Sequence, residues 1–362
     1  MWRLLMIALF FIALLDAVYV VCRFHKFALI HRIAKKNRLL AWLACLLPVA
    51  VCALFLLINV YAAVIVFIHL ALIWMLADLI GWVIKKRARR SFRRYWAGLV
   101  ALCITAVYLG IGWFNAHHVF ISRYTFTSDK LSSPLRVALV SDSHLGITLS
   151  GDTFAREMER LQQYAPNVLL LAGDFVDDDS SREDMLAACD ALGRFDAPFG
   201  VYFIYGNHDK GYFNYRNFST AELDDALLRN HVVILEDASV LLDDRFYIIG
   251  RQERTERSRA SMPALTDGLD ASKYMILLDH QPNDYAAEAA SPVDLVLSGH
   301  THGGHIFPAG QIGLLMGSND RRYGAETRNG TAFVVTSGIS GWAIPFKTGT
   351  FSETVVIDIL PE

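Results

Sequence analysis

The side chains able to do chemistry fall into five short clusters: Asp142-Ser143-His144, Gly173-Asp174 with Asp177, Asn207-His208-Asp209, His280, and His300-Thr301-His302. They offer imidazoles, carboxylates and one amide, with no thiolate, a donor set suited to borderline divalent metals such as zinc, iron, manganese or cobalt. Four histidines (His144, His280, His300, His302) and two aspartates (Asp142, Asp174) exceed what one six-coordinate ion with an open position can use. They suit two ions about 3.5–4 Å apart, bridged by a carboxylate, an arrangement that hydrolyses phosphoryl centres. A lone Asp-x-His or Gly-Asp is usually a turn. Their placing gives these clusters weight.

Each cluster comes where a short apolar run ends, at 136–141, 168–172, 201–205, 274–278 and 295–298. Further runs at 232–235, 246–249, 332–336 and 354–359, and the alternation in 119–127, also read as strands. Stretches 153–164 and 181–192 read as helices, with Asp152 and Ser180/Ser181 as initiating residues. In open α/β sheets ligands bind beyond the carboxyl ends of the strands. Five strand ends presenting Asp, Asn or His would therefore converge on one crevice.

Together, Asp142-x-His144, Gly173-Asp174-x-x-Asp177, Gly206-Asn207-His208-Asp209, His280 and Gly299-His300-x-His302 resemble the signature of the calcineurin-like metallophosphoesterases over about residues 120–360. The resemblance implies an α/β fold, a calcineurin-like α/β/β/α sandwich of two mixed sheets flanked by helices. It implies that Asp142, His144 and His302 hold one ion, that Asn207, His280 and His300 hold the second, and that Asp174 bridges them. It makes His208 the proton donor to the leaving oxygen, with Asp209 orienting its ring, and gives Asp177 a supporting role in its loop. The implied reaction is direct hydrolysis by a metal-bound water of lowered pKa, without a covalent serine or cysteine intermediate.

A bacterial membrane-anchored branch of that superfamily is similar to residues 299–304 and then carries Gln before Ile-Phe-Pro; here His305 precedes Ile306-Phe307-Pro308. His305 is thus a candidate substrate contact or accessory ligand, or a turn residue beside the site. The branch's late basic residue corresponds to Lys347, after Ile344-Pro345-Phe346. Lys347, Arg321 and Arg322 are candidates for phosphate contact, each otherwise an ordinary solvated charge. The aromatic stretch 212–218 could line a pocket, dip into a membrane interface or pack as a loop cluster.

The rest of the chain is a different material. Of 362 residues 54% are hydrophobic and 19% charged, against about 45–50% and 25% in a soluble chain. Residues 1–114 hold 14 basic and 2 acidic side chains, which leaves 20 basic and 34 acidic after them. The acidic half excludes nucleic acid as a natural partner. Its lone Cys189 can form no internal disulfide there, while Cys22, Cys45, Cys52 and Cys103 lie in apolar runs.

Four apolar stretches, 2–22, 39–58, 60–84 and 95–114, reach the roughly 20 residues that span a bilayer, with a turn expected around 59–62. The basic loops 23–38 and 85–94 would face the cytoplasm. That places the domain 115–362 on the extracytoplasmic face of a multi-pass protein of the bacterial inner membrane. Asp16, His69 and Asp78 lie within spans and read as inter-helix hydrogen-bonding groups or as functional ones.

The expected function is a membrane-anchored phosphoesterase using two divalent transition-metal ions (Mn, Fe or Zn) on a lipid-linked or membrane-proximal phosphoester, with no obligate protein partner. One alternative is a UDP-diacylglucosamine pyrophosphatase-type hydrolase of lipid A biosynthesis, whose nucleotide substrate is on the cytoplasmic side. A non-catalytic membrane receptor or scaffold is the other, and its mark would be missing ligands.

Overall fold

A computed structural model describes residues 14–88, 94–213 and 215–362. The chain divides into two units, Met1–Ile111 and Gly112–Glu362, so residues 112–114, expected to close the anchor, group with the second.

In the first unit the expected span 2–22 lies largely outside the described residues; 14–24 are helical. Among the described residues three stretches are long and apolar enough to cross a membrane: Arg38–Leu57, Val60–Arg87 and Trp96–His117. The first of these is not one helix. Arg38–Ala44 gives way to Leu47–Ala53, which opens with Pro48, a residue tolerated in a first turn, and ends in a 3-10 turn Leu54–Leu57. The turn expected near Asn59 is present: Asn59 Oδ1 accepts from the Ala62 N–H at 2.8 Å and starts the next helix.

Segment 23–38, expected as a basic loop, instead contains the helix Ala28–Lys36. Ile30 is its buried residue, and Lys35 and Lys36 sit in its last turn, where cations complement the carbonyl end. Asp78 accepts from the hydroxyls of Tyr19 and Tyr95, each at 2.7 Å, and pairs with Arg23 at 2.9 Å. His69 donates through Nδ1 to the Ile65 carbonyl one turn back, at 2.7 Å. Both polar groups are satisfied within their unit, as inter-helix or intra-helix ties.

Among its described residues the second unit has twelve strands: β1 Val119–Ser128, β2 Leu135–Val140, β3 Val168–Leu171, β4 Val201–Phe203, β5 Val232–Ile234, β6 Ala238–Leu242, β7 Phe246–Gly250, β8 Tyr274–Leu278, β9 Leu295–Ser298, β10 Gly324–Arg328, β11 Thr331–Val335 and β12 Ser352–Pro361. They form two six-stranded sheets, ordered β1-β12-β2-β3-β4-β5 and β10-β11-β9-β8-β7-β6. Strands β2 to β5 run parallel, as do β7, β8, β9 and β11, while β12 lies antiparallel to β2.

The two-residue pleat sorts the side chains. From β2, Val137 and Leu139 enter the layer between the sheets with Leu170, Ile276 and Leu297. Ala138 and Val140 face the other way, toward Phe154, Met158 and Leu192 of the helices Gly151–Gln162 and Arg182–Gly193. On the outer face of the second sheet, Met275 and Leu277 pack with Tyr285 and Met262 of two short helices. The result is the expected α/β/β/α sandwich, with continuous apolar strands because both faces of each sheet are covered.

Ser150 rather than Asp152 caps the first helix, accepting from the Thr153 N–H, and Ser181 caps the second. Helix Thr220–Arg229 starts in a capping box, Ser219 with Glu222.

Candidate metal centre

The site forms where β2, β3, β4, β8 and β9 end. Immediately beyond those ends the chain adopts a conformation that side-chain-bearing residues seldom take: φ is +55° at Asp142, +37° at His144, +53° at Asp174, +69° at His300 and +47° at His302. Such backbone persists only where the surroundings over-determine it, and it gathers at functional sites. The motif glycines allow the close approach. A Cβ on Gly206 would lie 2.2 Å from Asp174 Oδ1, and one on Gly299 would lie 1.9 Å from Ser141 Oγ.

Two sets of donors result, Asp142/His144/His302 and Asp174/His280/His300, and within each set the donor atoms lie within 4.8 Å of one another. Asp174 Oδ2 is 3.5 Å from His144 Nε2 and 3.1 Å from His280 Nε2, so a single oxygen faces both sets. Asn207 adds an oxygen to the second, its Oδ1 lying 2.8 Å from His300 Nδ1, while its amide N–H donates to the Tyr212 hydroxyl at 3.0 Å.

Hydrogen bonds fix the imidazoles. His144 donates through Nδ1 to Asp177 at 3.1 Å, His280 to the Ala172 carbonyl at 2.7 Å, and His302 to the Ser340 carbonyl at 3.3 Å. Each leaves Nε2 facing a carboxylate oxygen, and the fixed ring is the usual support of a metal-ligating histidine. The Nε2 atoms of His144 and His280 are buried and make no hydrogen bond. Unbonded buried donors of this kind, set between carboxylates, are what a divalent cation satisfies. The residues fit two such ions.

The electrostatics agree. Burial works against a charge on His280, but Asp174 and Asp142 outweigh it and carry the imidazole up to about 10. Burial would raise Asp174, yet His280 and His144 hold it well below the usual carboxylate range. Burial and the neighbouring His280 push His300 down to about 4. The centre draws positive charge between its two buried carboxylates, the role a bound cation fills.

A family profile described as calcineurin-like phosphoesterase matches residues 135–304. Residues 135–304 are a calcineurin-like phosphoesterase domain. The match places this domain among metal-dependent phosphoester hydrolases. An Aquifex aeolicus protein described as an uncharacterized metallophosphoesterase is 29% identical over 247 residues, covering 66% of this chain and 91% of that protein. A Helicobacter pylori protein of the same description is 30% identical over 241 residues, 65% of this chain and 62% of its own. A Danio rerio transmembrane protein with a metallophosphoesterase domain is 30% identical over 286 residues, 74% of this chain and 62% of that protein.

Several expected roles in the phosphoesterase site change. Asp209 was expected to orient the His208 ring. Its carboxylate instead accepts four backbone N–H groups, from Asp174 and Gly206 on one oxygen and from Phe175 and Val176 on the other, at 2.6–3.0 Å. It ties the loop after β3 to the loop after β4. His208 has its backbone N–H on Asp174 Oδ1 at 2.8 Å, and its ring sits 5.0 Å from those of His144 and Tyr212 and 5.3 Å from Trp342. Burial lowers its pKa. Asp177, expected to support its loop, accepts from the Asp179 N–H at 2.9 Å as well as from His144.

The expected phosphate contacts do not assemble. Arg321 is held by Glu326 and the carbonyls of Gly324 and Ala325, and Arg322 donates to the Gly303 carbonyl at 2.7 Å. His305 belongs to neither donor set; its Nε2 meets the Ile344 carbonyl at 3.2 Å. Lys347 is fully buried and donates to the carbonyls of Ser337 and Gly338 at 2.7 and 3.1 Å. Burial lowers it to about 7. Its tie is internal, so Lys347→Ala should cost about 2–3 kcal/mol of stability, read as a lower Tm, and leave KM for a soluble phosphoester unchanged. A raised KM at unchanged Tm would return Lys347 to the substrate.

Sequence reasoning missed Ser141, which donates to Asp142 Oδ2 at 2.6 Å, and Trp342 beside His208. Ser141 closes its apolar run and carried no signal of its own. Trp342 lies about 40 residues from the nearest ligand in sequence.

Proposed function

We propose that this chain is a membrane-anchored dinuclear phosphoesterase acting on a lipid-linked or membrane-proximal phosphoester, with its catalytic unit on the extracytoplasmic side. The observation that carries the reading is the single Asp174 oxygen facing two donor sets, on a chain with three candidate spans among its described residues. The receptor alternative asks for lost ligands, and the sequence retains all seven candidate residues. Two divalent ions held there would supply Lewis-acid charge for the phosphoryl oxygens and activate the attacking water.

The chain's own residues do the rest. Asn207 would touch both an ion and a phosphoryl oxygen without adding negative charge. His208, partly exposed beside Trp342 and Tyr212, would face the leaving oxygen and hand it a proton. Tyr212 fixes the Asn207 amide so that its oxygen stays turned inward.

The test separates these roles. Asn207→Ala should abolish metal-dependent hydrolysis while expression and membrane insertion stay intact. His208→Ala should slow substrates with poor leaving groups by about 10²–10⁴-fold and a p-nitrophenyl ester far less. Equal losses for both leaving groups would remove the proton-donor role, and full activity in both variants would overturn the catalytic assignment.

A further inference from the structure

Beyond His302 the chain carries an apolar segment that stays largely exposed among the described residues. Helix Ala309–Leu315 contributes no buried residue. Leu315 is 88% exposed and Met316 75%, with Phe307 and Ile312 about half exposed. Between Ile306 and Asn319 there is no charged side chain. Single exposed apolar residues are ordinary, but a contiguous uncharged cluster marks a surface made for something other than water.

The root of the segment shows what that is. Phe307 N–H donates to Thr348 Oγ1 at 3.1 Å, and Gly349 N–H to the His305 carbonyl at 2.9 Å. The neighbouring Lys347 N–H donates to the Gly112 carbonyl at 2.8 Å, and Asn115 donates to the Lys347 carbonyl at 3.4 Å. Residues 112–117 are the last turns of the candidate span Trp96–His117. Within the second unit itself, the apolar helix is therefore rooted on the strand of chain that grips the span's end.

We propose that residues 307–316 insert into the bilayer interface and that the metal centre takes its phosphoester from the lipid surface along this face. The substrate part rests on the phosphoesterase reading; the insertion does not. The segment starts five residues after His302. Across the mouth, Tyr212 and Trp342 are both exposed and both flank His208, and the Trp342 loop is tied to the segment through the contact between His305 and Ile344. Amphipathic aromatic rings of this kind settle at headgroup depth. A headgroup phosphate reaching His208 along this rim keeps its chains in lipid.

Insertion is tested on the full chain, with its five cysteines replaced by alanine and Leu315→Cys carrying an environment-sensitive nitrobenzoxadiazole label, in phosphatidylcholine nanodiscs. The expected result is blue-shifted emission that lipids brominated near the headgroup quench. Water-like emission, unchanged by brominated lipid, would overturn the proposal. A blue shift without quenching would mean that protein, such as a second copy of the chain, covers the face, and would overturn it equally.

The substrate part uses two phosphodiesters with the same p-nitrophenyl leaving group, one methyl and soluble, one hexadecyl and carried in phosphatidylcholine vesicles. Leu315→Ser/Met316→Ser should lower kcat/KM about tenfold on the hexadecyl ester and leave the methyl ester unchanged. Equal loss on both would make the segment structural and reject delivery from lipid. Failure of the unsubstituted protein on both esters would overturn delivery of a lipid phosphodiester, while hydrolysis of p-nitrophenyl phosphate decides the phosphoesterase reading and the label decides insertion.

Discussion

Asp174→Asn should lower kcat for a soluble phosphoester by about 10³-fold or more, and should take the bound metal from two ions per chain toward one. The side chain keeps its size, and the remaining Oδ1 can still accept the His208 N–H, so the fold has no reason to change. What goes is the negative charge shared by His144 and His280 through one oxygen. Several kcal/mol of transition-state stabilisation depend on metal charge held in place, and about 4 kcal/mol corresponds to 10³ in rate. Metal content by plasma mass spectrometry, kcat and Tm on one preparation check it. Unchanged stoichiometry with an unchanged rate would remove Asp174 from the bridge.

Asp209→Ala should be the most destabilising single change in the second unit, and the effect should come through folding rather than through chemistry. The carboxylate is fully buried, and its removal leaves four backbone N–H groups without an acceptor in two loops that carry Asp174 and Asn207. Losses of about 4–5 kcal/mol are the upper end for point substitutions and arise from this kind of broken buried network. In a unit of this size that is a fall of about 10–15 °C in the Tm of its own unfolding transition. Asp209→Asn, which keeps one carbonyl acceptor, should fall part of the way. A role in orienting His208 would give the opposite pattern, with Tm preserved and rate lost.

Much of the site was legible because its chemistry is written as residue type at strand ends. Asp142, His144, Asp174, Asn207, His280, His300 and His302 could be placed together because short apolar runs make parallel strands whose ends must meet. The sandwich followed from the same runs. The exposed edge strands β6 and β10 were missed because their side chains are largely exposed and mixed, so no apolar run marks them. Helix Ala28–Lys36 was hidden by its charges, which sit on the solvent side of an amphipathic turn.

The roles that failed share one cause. Asp209, Lys347 and Arg321 are polar residues near motifs, and sequence cannot say whether a polar group is spent on substrate or on backbone. That is decided by burial: Asp209 and Lys347 are buried where unpaired N–H and C=O groups need partners, and those groups took them. The left-handed backbone at the ligands is equally invisible, because nothing in Asp or His announces a positive φ.

The most direct measurement is the electron paramagnetic resonance spectrum of the full chain loaded with two equivalents of Mn(II). A site in which Asp174 bridges two ions predicts an exchange-coupled spectrum that Asp174→Asn converts to uncoupled Mn(II). A simple six-line signal from independent ions in the unsubstituted protein, or saturation at one ion per chain, would contradict the dinuclear centre.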